Sequence, residues 1–96
     1  MVQSRILETL GSLKEEARQN YKADIKGIFG SYSRGEERED SDLDVLVEFH
    51  AGATLFDLTG LGNFLEQKLQ CKVDVVSQRA LKEELKPYVY DDLVEL

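Results

Sequence analysis

Residues 25–49, IKGIF-GSYSRGEEREDSD-LDVLVEF, decide the fold. Two apolar runs, at 25–29 and 43–49, read as strands bounded by a glycine and a polar loop. In the second, Leu43, Val45 and Val47 fall on one face, and Asp42, Asp44, Leu46 and Glu48 on the other. The link between the runs, Gly30 to Asp42, is short and polar. A parallel crossover needs a dozen or more residues with a true helix among them. The two strands are therefore expected to pair antiparallel.

Outward from this hairpin, helix and strand signals alternate. Val2 to about Tyr21 carries Ile6, Leu7, Leu10, Leu13, Ala17 and Tyr21 at helical spacing. Thr54, with Asp57 three residues on, reads as the start of a helix to about Leu69. Leu55, Leu58, Leu61, Leu65 and Leu69 are expected to face inward. Lys72 to Val76, KVDVV, is a third strand. A helix is expected from Gln78 to Leu85, and Pro87 fits the first position of a last short helix, PYVYDDLVEL. The expectation is one α/β (α+β) domain, residues 1–96, with a small three-stranded mixed sheet flanked by helices.

With 96 residues, 42% hydrophobic and 32% charged, the chain suits one compact core. Twelve basic against 19 acidic residues give a net charge of −7, which repels phosphate backbones, so direct nucleic-acid binding is not expected. One cysteine, Cys71, allows no internal disulfide, and one histidine beside it allows no ordinary zinc site. No apolar run approaches the ~20 residues of a membrane span. MVQSRILETL has no signal-peptide core. The expected location is the cytoplasm.

Three features carry chemistry. Gly30-Ser31 follows a strand directly, with Arg34-Gly35 behind. The glycine permits a sharp turn and close approach, the opening turn presents N–H groups to an anion, and Arg34 adds a forked phosphate donor. Asp42 and Asp44 stand at i and i+2 and so project together. Their repulsion, about 1 kcal/mol at 4 Å even in water, is relieved by a hard divalent cation. Asp74 interrupts an apolar strand, where a carboxylate is paired, metal-bound or at a functional face. Each feature alone is common. Together they describe a phosphate turn beside three carboxylates, able to hold two Mg²⁺ or Mn²⁺ ions about 3.5–4 Å apart.

This spacing, Gly30-Ser31, Arg34-Gly35, Ser41-Asp42 with Asp44, then Asp74, resembles the nucleotidyltransferase superfamily of DNA polymerase β. Within it the chain is most similar to the minimal nucleotidyltransferases (MNT), and the resemblance spans nearly the whole sequence. It implies the polymerase β-like fold and transfer of AMP from ATP to a hydroxyl. Asp42 and Asp44 would bind Mg²⁺ with the triphosphate. Asp74 would bind the catalytic metal and help take the acceptor's proton. Gly30 and Ser31 would hold the β- and γ-phosphates, with Arg34 assisting or bracing the turn. Tyr32-Ser33 departs from the small residues often found before the arginine. The family further implies a helical HEPN-type toxin as partner in a hetero-oligomer, with this chain as antitoxin and a toxin tyrosine as acceptor. The acidic surface suits such a basic partner. Two rivals stand beside this reading: a non-catalytic antitoxin that merely covers its partner, and transfer to a small molecule such as an aminoglycoside.

Other residues read more plainly. Glu36 to Asp40 is a solvated acidic loop, and His50 a surface residue at a strand end. Tyr32, nearest the phosphate turn, is the tyrosine best placed to stack a base. Tyr88, Tyr90, Leu93 and Leu96 either form an interface or close the core.

Overall fold

The computed structural model describes residues 3–96. Helix α1 (Gln3–Tyr21) leads into β1 (Ala23–Phe29), the one-turn helix α2 (Ser31–Arg34), β2 (Leu43–Phe49), α3 (Leu55–Leu69) and β3 (Val73–Ser77). Two 3-10 turns, Gln78–Ala80 and Glu83–Leu85, then connect to α4 (Lys86–Asp92) and the short β4 (Val94–Glu95). The sheet order is β3-β2-β1-β4. As the short link requires, β1 and β2 are antiparallel. β2 and β3 are parallel, joined through α3, the crossover geometry that parallel neighbours demand.

One face of the sheet carries the core. Ile6, Leu10, Leu13 and Ala17 of α1 and Leu61, Phe64, Leu65 and Leu69 of α3 close over Leu43, Val45 and Val47 of β2. The Tyr21 and Phe64 rings meet at 5.4 Å, locking the two helices together. α3 begins with a full capping box: Thr54 Oγ1 accepts from Phe56 N, and Asp57 Oδ2 accepts from Thr54 N at 2.9 Å. Asp44 and Leu46 point to the opposite face by the period of the strand.

The structure departs from the sequence reading at four places. The sheet has four strands, because Val94 and Glu95 pair with Ile28 and Gly27 of β1. They dock closely because Gly27 has no side chain; a Cβ there would overlap Val94 O. The stretch after β3 forms two 3-10 turns in place of one helix. Leu55 is 79% exposed; at the first position of α3 it precedes the turn that meets the sheet. β1 carries a bulge between Ile25 and Gly27 that shifts its alternation, so Ala23, Ile25 and Ile28 all reach the core. Val2, read as the first helical residue, lies outside the described residues. Among the described residues no helix is long and apolar enough to cross a membrane.

Candidate active site

Gly30 ends β1 with φ 78° and ψ −153°, a backbone state essentially reserved for glycine. The space its Cβ would fill is taken by Asp44 Oδ2. Thus the first strand's end and the second strand's carboxylate are in direct contact, and any larger residue at 30 would displace that carboxylate. Gly30 O accepts hydrogen bonds from Ser33 N at 3.1 Å, Arg34 N at 3.2 Å and Ser33 Oγ at 2.8 Å. These bonds wind the chain into α2, which Ser31 opens. Gly35, in the left-handed region (φ 71°, ψ 24°), ends the turn, and Glu36 N donates back to Ser31 O at 2.9 Å.

The parallel register of β2 and β3 sets Asp44 opposite Asp74, so both carboxylates leave the same face of adjacent strands. Asp42 lies two residues before Asp44, exposed like Asp74, while Asp44 is half-buried. Asp44 reports on the cluster. Its carboxyl is pushed up to about 6, first by burial, then by the charges of Asp74 and Asp42, against an opposing pull from Arg34. Among the described residues no ion pair within 4 Å reaches any of the three carboxylates. Here is a concentration of like charge with no protein counter-ion within 4 Å among the described residues.

The donor set is all oxygen, which fits Mg²⁺ or Mn²⁺ and not a softer metal. Among the described residues no three acidic, histidine or cysteine side chains stand close enough to enclose a metal unaided. The carboxylates fit a cation whose remaining ligands come from elsewhere, as Mg²⁺ usually binds, through one or two carboxylates plus substrate phosphates and water.

Arg34 is already engaged. Its Nε donates to Glu36 Oε1 at 2.7 Å and its Nη1 to Asp92 Oδ2 at the end of α4. Glu36 is two residues on, but Asp92 could not be found from local spacing, since it lies 58 residues away. Gln3, whose Nε2 donates to Ser33 O at 3.0 Å, was equally invisible. Tyr32, expected to be placed for base stacking, is 8% exposed and belongs to the core. His50 sits at the far end of β2, with Nε2 2.8 Å from Asp24 Oδ2. That contact, more than the desolvation opposing it, holds the Asp24 carboxyl below its usual range. A cavity of about 760 Å³ opens beside the turn, between Tyr32, the acidic loop (Glu37 to Ser41) and Leu69 to Lys72. None of the three carboxylates lines it.

A family model described as a nucleotidyltransferase domain matches residues 10–96. The protein adenylyltransferase MntA of Thermococcus cleftensis is 38% identical over 81 residues, covering 84% of this chain and 82% of that one. A solved structure of a candidate minimal nucleotidyltransferase superposes with a TM-score of 0.75 at 42% identity, covering 94% of this chain and 95% of the other. A chain from the complex of tri-AMPylated Shewanella oneidensis HEPN toxin with MNT antitoxin superposes with a TM-score of 0.71 over 98% of this chain and 71% of its own. At 21% identity that last likeness is one of fold.

Proposed function

Because this chain belongs to the nucleotidyltransferase domain family, we propose that it is an antitoxin that transfers AMP from ATP to a tyrosine hydroxyl of a HEPN-type toxin in the cytoplasm. In this reading residues 1–96 act as one minimal domain. The observation that carries the reading is the pairing of Asp44 with Asp74 across β2 and β3, with Asp42 alongside and Gly30 in contact. The similarity to a protein adenylyltransferase and the fold shared with an MNT antitoxin complex support the acceptor class.

The roles are those that the family resemblance implies for these positions. Gly30 and Ser31 hold the β- and γ-phosphates at the mouth of α2. Arg34 keeps that turn in shape. Asp42, Asp44 and Asp74 would hold Mg²⁺, which would supply charge neutralisation for the phosphates and a more acidic acceptor hydroxyl. The acceptor oxygen bonds to the α-phosphorus, the bond to pyrophosphate breaks, and the hydroxyl proton passes to Asp74 on the exposed edge strand. Orientation and electrostatic stabilisation account for most of the rate. The exposure of Asp42 and Asp74 suits an acceptor carried on another macromolecule, and the acidic loop suits a basic one. Six acidic residues against Arg38 lie between 36 and 44.

The test is intact-mass spectrometry of the toxin partner after incubation with this chain, ATP and Mg²⁺. One or more AMP additions are expected, none with Asp42→Asn/Asp44→Asn. A stable complex with bound ATP but no mass gain would favour inhibition by coverage alone.

A further inference from the structure

A helix of four residues does not stand alone, because nucleating one turn costs more than its few hydrogen bonds return. α2 is held from three sides. Tyr32 sinks into the core. Gln3 of α1 donates to Ser33 O at 3.0 Å. The third tie is the Arg34 guanidinium, bonded to Glu36 through Nε and to Asp92 through Nη1. The two acids differ. The Glu36 side chain is 64% exposed on a solvated loop, that of Asp92 26% exposed. Asp92 is also anchored by β4, since Val94 and Glu95 hydrogen-bond to β1 just beyond it. Asp92 is therefore the fixed post and Glu36 the loose one. Nη2 of Arg34 takes part in neither pair, so the guanidinium can be held and still present an edge to a phosphate oxygen.

We propose that Asp92 is a positioning residue for nucleotide binding: through Arg34 it fixes the Gly30–Gly35 turn, and so makes the C-terminal α4–β4 segment part of the phosphate site. The inference rests on the nucleotide-transfer reading of the site. It gives α4 a task that its sequence, PYVYDD, does not announce. The nucleotide turn is then set by the two ends of the described chain, Gln3 from one side and Asp92 from the other.

The test uses the full chain as wild type, Asp92→Asn and Asp92→Glu. ATP binding with Mg²⁺ is measured by calorimetry, kcat and KM for ATP by transfer to the toxin, and amide hydrogen exchange across residues 30–36. Asp92→Asn is expected to weaken ATP binding and raise KM about fivefold, the scale of one partly exposed charged pair, with kcat within about twofold. Exchange is expected to quicken in residues 30–36 and not elsewhere, and Asp92→Glu to restore both readouts. A purely structural role would instead lower the melting temperature and quicken exchange throughout. Wild-type ATP affinity in Asp92→Asn overturns the proposal, whatever the exchange shows. If the wild type itself binds no ATP, the nucleotide reading falls and this one with it; the exchange data then report separately whether the tie to the turn exists.

Discussion

Removing the Asp44 charge is expected to stabilise the metal-free protein at neutral pH while abolishing transfer. The sign comes from its carboxyl, pushed up from 3.8 to about 6 by burial and then by Asp74 and Asp42. Below about pH 3.8 the group is protonated in both the folded and unfolded chain and has no effect. Between there and pH 6 the unfolded chain releases the proton and the folded protein keeps it, so stability falls as pH rises. Above pH 6 the whole penalty is present. A rise from 3.8 to about 6 corresponds to about 3 kcal/mol at 1.36 kcal/mol per pH unit. Asp44 is only half-buried, and screening leaves about 1–2 kcal/mol, or about 5–10 °C in melting temperature for a domain of this size. The assay is thermal unfolding followed by circular dichroism in chelator, from pH 4 to 8, for the wild type, Asp44→Asn and Asp74→Asn. The three curves are expected to approach one another near pH 4 and to separate towards pH 7.5, with Asp44→Asn highest. Asp74→Asn gains less, because Asp74 ranks behind burial as a cause of the shift. Mg²⁺ with ATP narrows the gap by stabilising the wild type. A wild type at least as stable as Asp44→Asn at pH 7.5, or a gap that does not change with pH, would refute the reasoning.

Gly30→Ala is expected to cost about 1–3 kcal/mol through its positive φ alone. By driving Asp44 aside it should also lower transfer far more than it lowers stability, read as a kcat loss alongside a modest melting shift. Tyr32→Ala should destabilise by about 3–5 kcal/mol, as loss of a large core side chain does. Tyr32→Leu, which keeps an apolar side chain in the core but removes the aromatic face, should keep ATP affinity unchanged by calorimetry, which separates a core residue from a stacking one. Thr54→Ala removes the capping box and is expected to cost about 1 kcal/mol in denaturant unfolding with transfer intact, since α3 starts at the far end of β2 from Asp44.

How much of this was legible in the sequence depended on the range of the signal. Strand β2 announces itself by alternation, and the short Gly30–Asp42 link allows only an antiparallel return. The Asp44–Asp74 pairing could be anticipated because one crossover through α3 returns the chain parallel to β2. Any carboxylate near the start of each strand then comes to the same edge. What failed was whatever depended on a partner far away in sequence. Two residues of β4 carry no strand signal, and their pairing is made by a gap in β1, the missing side chain of Gly27. The bulge in β1 obscures its alternation. Tyr32 looks like a ligand contact because it neighbours the phosphate turn, yet a one-turn helix needs a core anchor and Tyr32 supplies it.

Arg34 shows the same limit at the site itself. Its residue type says phosphate or carboxylate, and only the fold says which carboxylate. The sequence places a cation three residues after Ser31, and α4, folding back across β1, brings Asp92 to it. The acidic cluster and the braced arginine are then two halves of one electrostatic arrangement. Three carboxylates stand together without an ion pair, at a cost to folding. The nearby guanidinium that partly relieves Asp44 is itself fixed by two further acids. A site so arranged repels a bare triphosphate and accepts one that brings cations with it. Nucleotide binding should therefore fall steeply when Mg²⁺ is withdrawn, and ATP titrated by calorimetry in chelator should show affinity lower by at least about tenfold. Undiminished ATP binding in chelator would show that the turn residues hold the phosphates unaided, and that the carboxylates do not govern nucleotide entry.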